Sequence, residues 1–531
     1  MKAALVGTRT ILNSIAAEDG RNFVPWIVLA TLLTTSSVLV YPWVFPDEES
    51  RAALTVAVGA NPTLGIIFGP ATDLLTADGF NVWRSLALGG FLAALGAIFA
   101  VTKETRGQED LGQAELVASN PVGRGSQLMA AVVFALAGSV LVGVISGVLT
   151  VPFGGTWEAS LLLGATFAAT GWMFTGVAAV ASQVGSDKRS ASTLAVGTLG
   201  ALFLLRGFAY ALDAPEWTVW ANPLGWMTET KPSTENDWRP LLLAVAFAAV
   251  LLGLAFLLRA HRSFGFGMLP PKQGPAQGNT RTLLGLAFRL NAGVVVTWFF
   301  VFGILGPVFG QFATTVPELL QGDIAIAGFL AAGSLTPDDF TYGFLSTVLG
   351  LIGIIASVSG VQIMLRMRSE EVSGRSEPVL AGPVSRPAYF AANLAVALAA
   401  SAASLVIAGT LVAAIASQES VGARFGTVLL QAVTTIPATW AVVALAAAVV
   451  GAKPKVPIAA WAGVVASFAL TFLGPTFDLW DWILGISPFW HVPNVGAADV
   501  DWSGPLWVSL AVALLALVGF VGYRRRNISA A

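Results

Sequence analysis

Two charged segments interrupt an otherwise apolar chain, and each repeats the other. The first, "RGQEDLGQAELVASNPVGR", covers 106–124, and the second, "RSEEVSGRSEPVLAGPVSR", covers 368–386; eight of their nineteen positions are identical. In both segments an arginine, a glutamate, a glycine and a second glutamate follow one another at intervals of three residues. On an α-helix, residues with this spacing lie within about half of the circumference. The pattern therefore favours a surface that recognises another molecule through oriented charges.

We expect each segment to form a short charged helix outside the membrane, ended by Pro121 or Pro383. The central glycine would allow the backbone of a partner to approach closely. Two matched helices predict a partner with two equivalent sockets, such as a homodimer. A solvated loop with internal ion pairs is the alternative interpretation. The residues predicted to contact the partner are Arg106, Glu109, Gly112 and Glu115 in the first segment, and Arg368, Glu371, Gly374 and Glu377 in the second.

The sequence offers little material for catalysis. It contains two His and no Cys, which excludes disulfides and cysteine-based metal or redox sites. No G-x-x-x-x-G-K-[ST] phosphate loop is present, so the chain itself is not expected to hydrolyse ATP. The net charge of −2 gives no support for a nucleic-acid partner. We therefore predict no catalytic residues, no metal site and no cofactor within this chain.

The composition places the rest of the chain in a membrane. Of 531 residues, 56% are hydrophobic and 11% are charged, whereas soluble domains average about 25% charged residues. Several apolar runs exceed the roughly 18 to 20 residues that an α-helix needs to cross a bilayer. The runs are continuous rather than alternating, which favours helices over a β-barrel. Twelve spans are predicted, at residues 24–45, 84–102, 126–150, 159–183, 191–212, 240–260, 291–313, 344–366, 388–416, 425–450, 456–476 and 505–523.

Charge asymmetry predicts the orientation of these spans. An even number of spans places both termini on one side. Apart from Arg206, which lies inside a span, that side receives all but five of the 28 Lys and Arg. Cytoplasmic loops carry an excess of basic residues, so both termini are expected in the cytoplasm. Residues 46–83 and 314–343 are then extracellular, and 52–70 is interpreted as a membrane-skimming helix pair rather than a span.

Further matches indicate that the chain is a tandem repeat. "TRTIL" (8–12) matches "TRTLL" (280–284), Trp26 matches Trp298, and the offsets of all matched elements stay between 260 and 272 residues. The sequence predicts two six-span halves, 1–265 and 281–531, joined by a Gly- and Pro-rich cytoplasmic linker at 266–280. Since six is even, the halves would be parallel repeats about an axis along the membrane normal.

This arrangement resembles the permeases of type-2 ABC exporters. More narrowly, it is similar over essentially the whole chain to the fused twelve-span permeases of actinobacterial polyketide-antibiotic (tetronasin-type) and multidrug exporters. The resemblance depends on "E-x-x-G-x-x-E-x-x-x-x-x-P-V-x-R" in each half, on an amphipathic helix before the first span, and on the "NPLGW" and "SPFW" hairpins. It implies that each charged segment is the coupling helix that docks onto a nucleotide-binding subunit. The second copy departs at Pro378, which implies a shorter coupling helix there.

The resemblance also implies a function. The chain would be a bacterial plasma-membrane permease that exports hydrophobic or amphipathic compounds such as antibiotics and drugs. Two copies of a separate soluble ABC ATPase would bind the ATP and Mg²⁺, and membrane lipid would surround the spans. An ion-coupled secondary multidrug transporter is the main alternative, although it would need acids within the membrane. A membrane enzyme acting on lipids is a weaker alternative.

A few residues within or beside the spans are candidates for the substrate path. Arg206 lies inside a predicted span, where a charge is costly and usually faces protein or water. It would engage an acidic group of the substrate or, alternatively, form a structural pair with Asp213. Aromatic side chains would supply apolar contact to a bulky ligand, or would only pack the bundle. The predicted substrate-path residues are Trp26, Arg206, Phe208, Trp298, Phe299 and Phe302.

Overall fold

The protein is helical throughout the part of the chain that its computed structural model describes. The described residues are 5–59, 62–113, 115, 119, 121–211, 214–262, 267–268, 282–314, 340–418, 423–454, 456, 459–473, 480–497 and 500–526. Their helices fall into two compact units, Met1–Gly274 and Pro275–Ala531. Each unit is described by itself.

The first unit contains six long apolar helices and several short ones. Helix α1 joins α2 through a 3₁₀ turn at Gly20–Phe23, so the two form a nearly continuous rod. The helices are α1 (Thr8–Asp19), α2 (Val24–Val44), α3 (Glu48–Gly59), α4 (Pro62–Ile67), α5 (Ala77–Thr102), α6 (Ser126–Thr150), α7 (Trp157–Val184), α8 (Lys188–Ala211), α9 (Glu216–Trp220), α10 (Pro223–Thr228) and α11 (Pro240–His261).

The second unit follows a similar order. Its helices are α12 (Leu283–Thr314), α13 (Phe340–Val372), α14 (Glu377–Leu380), α15 (Arg386–Ala416), α16 (Phe425–Ala452), α17 (Ala459–Phe468), α18 (Asp481–Leu484) and α19 (Ser503–Arg525). A π-helical turn at Ala469–Leu473 extends α17. The predicted extracellular segment 314–343 lies largely outside the described residues.

Within the described ranges, eleven helices are long and apolar enough to cross a membrane. The chain is therefore a multi-pass membrane protein. The eleventh predicted span, 456–476, corresponds instead to a shorter apolar helix at Ala459–Thr471. Residues 474–479 lie outside the described ranges, so the prediction of twelve spans stays a prediction.

The fourth long helix lies at the centre of each unit. In the first unit α7 packs against α5, α6, α8 and α11; in the second unit α16 packs against α13, α15, α17 and α19. Both central helices are rich in threonine, whose hydroxyls donate to carbonyls four residues earlier, as Thr170 does to Thr166 and Thr435 to Gln431. Such bonds let a polar side chain stay satisfied where no water is available.

The same hydrogen bond joins the third and fourth long helices in both units. The indole of Trp172 on α7 donates to the carbonyl of Leu136 at 3.1 Å, and the indole of Trp440 on α16 donates to that of Leu398 at 3.0 Å. A buried indole N–H usually finds a partner of this kind. The two tryptophans lie 268 positions apart and the two leucines 262 apart, within the offsets that relate the charged segments and the first spans.

Candidate functional site

The first charged segment begins on the end of a long helix rather than on a helix of its own. Helix α5 continues past Thr102 through a π-helical turn at Lys103–Gly107 and a further turn at Gln108–Asp110. Arg106 and Glu109 lie on this extension, and the chain then turns at Gly112. The expectation of a single charged helix from 106 to 115 is therefore wrong. A helix persists beyond the membrane as long as its backbone bonds do, and its end is set here by glycine rather than by loss of hydrophobicity.

Glu109 is the centre of a buried ion-pair cluster. Its side chain is only 8% exposed and forms ion pairs with Arg106 at 2.8 Å, with Arg259 at 3.4 Å and with Arg262. Arg259 lies in the last turn of α11, and Arg262 follows that helix directly. Three guanidinium groups around one carboxylate supply the charge compensation that a buried acid needs. We call this group the Glu109 hub.

The hub also reaches the end of α7. The Nε atom of Arg106 donates to the carbonyl of Ser182, and Arg262 donates to the same carbonyl at 3.2 Å and to the side-chain oxygen of Gln183 at 3.1 Å. The last carbonyls of a helix have no partner within that helix, and cations stabilise that end. The Glu109 hub therefore connects the ends of α5, α7 and α11.

The second unit contains a matching cluster around Glu371. This side chain is fully buried and forms ion pairs with Arg368 at 3.0 Å and with Arg526 at 2.6 Å. Arg526 directly follows α19, its guanidinium lies over the ring of Tyr523 at 4.8 Å, and its carbonyl accepts a hydrogen bond from Arg386. We call this group the Glu371 hub. It connects the end of α13 to the end of α19.

The two segments share one backbone turn after each hub. Gly112 and Gly374 both have φ of +71°, in the left-handed region that glycine adopts without strain. The N–H of Gly112 donates to the carbonyl of Glu109 and that of Gly374 to the carbonyl of Glu371, each at 3.1 Å. We call residues 109–115 and 371–377 the glycine turns. The glycine that recurs in both segments is thus the residue that forms the turn.

The glycine turns separate the paired glutamates into two environments. Glu109 and Glu371 face inward and are held by arginines, whereas Glu115 and Glu377 are exposed. Leu111, in the first turn, is 73% exposed. Of the eight predicted contact residues, the structure therefore leaves Glu115 and Glu377 free to meet a partner and buries Arg106, Glu109 and Glu371 within the protein.

Other basic and N-terminal elements gather at the same end of the first unit. The carbonyl of Val6 accepts bonds from the N–H of Gly123 at 2.9 Å and from the hydroxyl of Ser126 at 2.6 Å, which fixes the chain before α1 to the return from the charged segment. The N–H of Lys188, the first residue of α8 and next to the short α7–α8 loop, donates to Asp110 at 2.8 Å. The charged segment, the N-terminal helix and the α7–α8 loop thus form one polar end.

Arg206 is buried, but the structure gives it a local role. One guanidinium nitrogen donates to the carbonyl of Ile67, the last residue of α4, at 3.0 Å, and the group lies 4.9 Å from the ring of Phe203. Asp213, the alternative partner suggested by the sequence, lies outside the described residues. A cavity of only about 10 Å³, room for about one water molecule, adjoins Arg206. Its lining consists of Leu86, Ala87, Gly90, Phe91, Thr170, Phe203, Arg206, Leu224 and Met227.

Most of the predicted aromatic residues pack between the first and second long helices. The Trp26 ring lies 6.1 Å from that of Phe99 on α5. Trp298 stacks near Phe302 at 5.6 Å and donates to the side chain of Gln362 on α13 at 2.9 Å. Phe302 is fully buried, Phe299 is partly buried, and Phe208 is 45% exposed on α8. Trp26, Arg206 and Phe208 lie in the first unit and Trp298, Phe299 and Phe302 in the second. The substrate path stays a prediction.

Sequence reasoning missed several residues of the polar end. The charge pattern uses three of them, Arg259, Arg262 and Arg526, only to indicate which ends of the spans face the cytoplasm. Glu104, which the sequence analysis does not single out, is 2% exposed and lies beside the carboxylate of Asp19. A usable signal existed for the arginines, since each half ends its sixth span with a basic cluster, "RAHR" or "RRR". No local pattern indicates that Glu104 is buried.

Comparisons with known proteins agree with a transport role. The family model described as multidrug efflux system permease Rv1217c, C-terminal domain, matches residues 57–258 and 281–524. The multidrug efflux system permease protein Rv1217c of Mycobacterium tuberculosis is 32% identical over 536 residues, which cover 99% of this chain and 96% of that protein. A match of this extent spans both units. The chain therefore belongs to the family of the multidrug efflux system permease Rv1217c.

Proposed function

We propose that this protein is the membrane permease subunit of an ATP-driven ABC exporter for hydrophobic or amphipathic compounds. Hydrolysis takes place on two copies of a separate soluble ATPase. The observation that carries the proposal is the pair of glycine turns, with the same φ at Gly112 and Gly374 and an exposed acid three residues later in each. Two equal projections match a symmetric partner, because a homodimer presents the same socket twice.

The distribution of basic residues supports a cytoplasmic position for the glycine turns. Arginines and lysines gather at the ends of the long helices that carry the charged segments, and cytoplasmic ends of spans are enriched in such residues. A soluble ATPase can reach its permease only from that side. The residues concerned are Lys103, Arg106, Arg124, Lys188, Arg189, Arg259 and Arg262 in the first unit, and Arg366, Arg368, Arg375, Arg386, Lys453, Arg524, Arg525 and Arg526 in the second.

The substrate class is supported by the relative and by the chemistry of the chain. The M. tuberculosis relative is named as a multidrug efflux permease, and we extend this class of cargo to the present protein. The cavity beside Arg206 is too small for a substrate, so the expectation that Arg206 favours compounds with an acidic group rests on its charge alone. Phe208 is the predicted substrate-path aromatic with the most exposed ring.

Co-purification tests the proposal. The protein is extracted in mild detergent from its host, and the double variant Glu115→Lys with Glu377→Lys is compared with the unmodified protein. We expect a phosphate-loop ATPase to co-purify at about two copies per chain, and the double variant to lose it while eluting as a folded protein. Charge reversal at Glu18, an exposed acid on α1, is the matched control and should retain the ATPase. Retention of the ATPase by the double variant would contradict docking at the glycine turns.

An ion-coupled secondary transporter is the second candidate, and one observation favours it. Glu104 is a buried carboxyl beside Asp19, two residues past the end of α5 at the polar end of the first unit, where a buried acid can bind a proton. Proton-coupled transport also requires acids within the membrane. The two functions differ in their energy source. In proteoliposomes, ATP-driven transport should persist in Glu104→Gln after the proton gradient is dissipated. Loss of all transport on dissipation, in the unmodified protein as well, would favour the secondary transporter.

A further inference from the structure

In each unit, the acid at the base of the glycine turn is bound by an arginine from the end of the last long helix, α11 or α19. Glu109 pairs with Arg259 and Arg262 at the end of α11, and Glu371 pairs with Arg526 at the end of α19. Arg262 and Arg526 lie 264 positions apart, within the range of offsets between the two halves. The same link is therefore present twice.

These pairs join elements that otherwise pack elsewhere. Helix α11 packs mainly on α7, and α19 packs mainly on α16. The second long helix of each unit, which carries the glycine turn, meets the last long helix chiefly through the hub. Because each buried carboxylate is shared by two or three arginines, removal of the glutamate leaves several cations without compensation and is strongly disfavoured. A link of this kind resists separation more than an exposed ion pair does.

We propose that Glu109 and Glu371 are positioning residues that tie each glycine turn to the last long helix of its own unit. Movement of a glycine turn then moves the end of that helix with it. The inference rests on the proposed function, in which a bound ATPase displaces the turns. It reassigns the two glutamates from the partner contact to the transmission of motion within the permease.

The absence of cysteine from the chain makes a distance measurement direct. Spin labels are placed on two introduced cysteines, at the exposed positions Gln113 and His261 in the first unit. The equivalent exposed positions in the second unit are Arg375 and Arg525. Electron–electron double resonance is recorded on the full chain in lipid nanodiscs, alone and with its co-purified ATPase, without nucleotide and after addition of ATP with vanadate.

With both hubs unmodified, we expect each label pair, 113 with 261 and 375 with 525, to give one narrow distance distribution. That distribution should be the same without the ATPase, with it, and after addition of ATP with vanadate. The variant Glu109→Gln should lose the narrow peak between 113 and 261, and Glu371→Gln that between 375 and 525. Arg189→Gln, which removes an exposed charge from the same end without touching the hub, should keep it. Arg262→Lys keeps the charge but loses the forked geometry of arginine, so a partial broadening is expected even if Glu109→Gln folds poorly.

Two outcomes separate this inference from the proposed function. The first outcome is that the spin-label distance distributions of the unmodified protein are unchanged in Glu109→Gln, Glu371→Gln and Arg262→Lys. The hubs then do not tie the glycine turns to α11 and α19, whatever drives transport. If no ATPase associates, the proposed function fails. The distance distributions of the hub variants, measured on the permease without an ATPase, then still decide whether the hubs tie the glycine turns to α11 and α19.

Discussion

At the scale of single residues, equal spacing in the sequence produced unequal roles. Glu109 and Glu115 occur in one regular pattern, yet one is held by arginines and the other is exposed. The reason is Gly112, whose left-handed backbone ends the helix between them. A pattern counted in steps of three is meaningful only while the backbone stays helical.

Substitution of the two glycines tests this directly. Gly112→Ala and Gly374→Ala should each cost about 1–2 kcal/mol, because an L-residue with a β-carbon is strained in the left-handed region. A β-carbon at either position would meet no atom within 4 Å, so the cost belongs to the backbone alone. Asparagine tolerates this region better than alanine and should cost less. Thermal unfolding of the purified permease measures both, and equal costs for alanine and asparagine would contradict the assignment.

At the scale of helices, two helices continue beyond the ends of the spans that hydropathy predicts. The second span was predicted to end at 102 and the eighth at 366, but their helices continue to Asp110 and Val372. Those extensions carry Arg106, Glu109, Arg368 and Glu371 into contact with distant helices. Hydropathy reports where the bilayer ends, whereas the helix ends only when backbone hydrogen bonding is interrupted.

The contact between the third and fourth helices gives a prediction for both units. Trp172→Phe and Trp440→Phe each remove one interhelical hydrogen bond while keeping an aromatic ring. Interhelical bonds in membranes contribute about 0.6 kcal/mol on average and up to about 1.7. We expect similar losses from the two variants, measured by unfolding in a denaturing-detergent titration. Trp507→Phe, at an exposed position of α19, is the control and should have no effect; a large effect in one unit alone would argue against equivalent contacts.

At the scale of the whole molecule, the number of crossings depends on one short helix. Eleven described helices are long enough to span, and α17 with its π-helical extension is the twelfth candidate. An odd number of crossings would place the two termini on opposite sides. The basic residues at the end of α19 and around the first charged segment argue for the same side.

Single-cysteine labelling measures that crossing. A cysteine at exposed Lys453 should react with an impermeant maleimide only after the cells are permeabilised, and a cysteine at Trp482 should react from outside. The exposed positions Gln113 and Glu235 serve as the inside and outside references. If 453 and 482 label from the same side, α17 does not cross and the twelve-span topology is wrong.

The sequence by itself determined the class of the protein. Long continuous apolar runs require membrane helices, and the two charged segments, their glycines and the offsets between matched elements can be read directly from the residues. The exposed acids Glu115 and Glu377 were also among the residues predicted to meet a partner.

Only the tertiary structure decided which charges are internal. Glu109 binds Arg262, which lies 153 residues later in the sequence, and Glu371 binds Arg526, which lies 155 residues later. Arg206 meets the carbonyl of Ile67, 139 residues earlier in the chain. Local spacing fixes the direction of a side chain on its own helix, but its partner depends on which distant helix end packs beside it. The burial of Glu104, the hubs around Glu109 and Glu371, and the packing of Trp26 and Trp298 all follow from that packing.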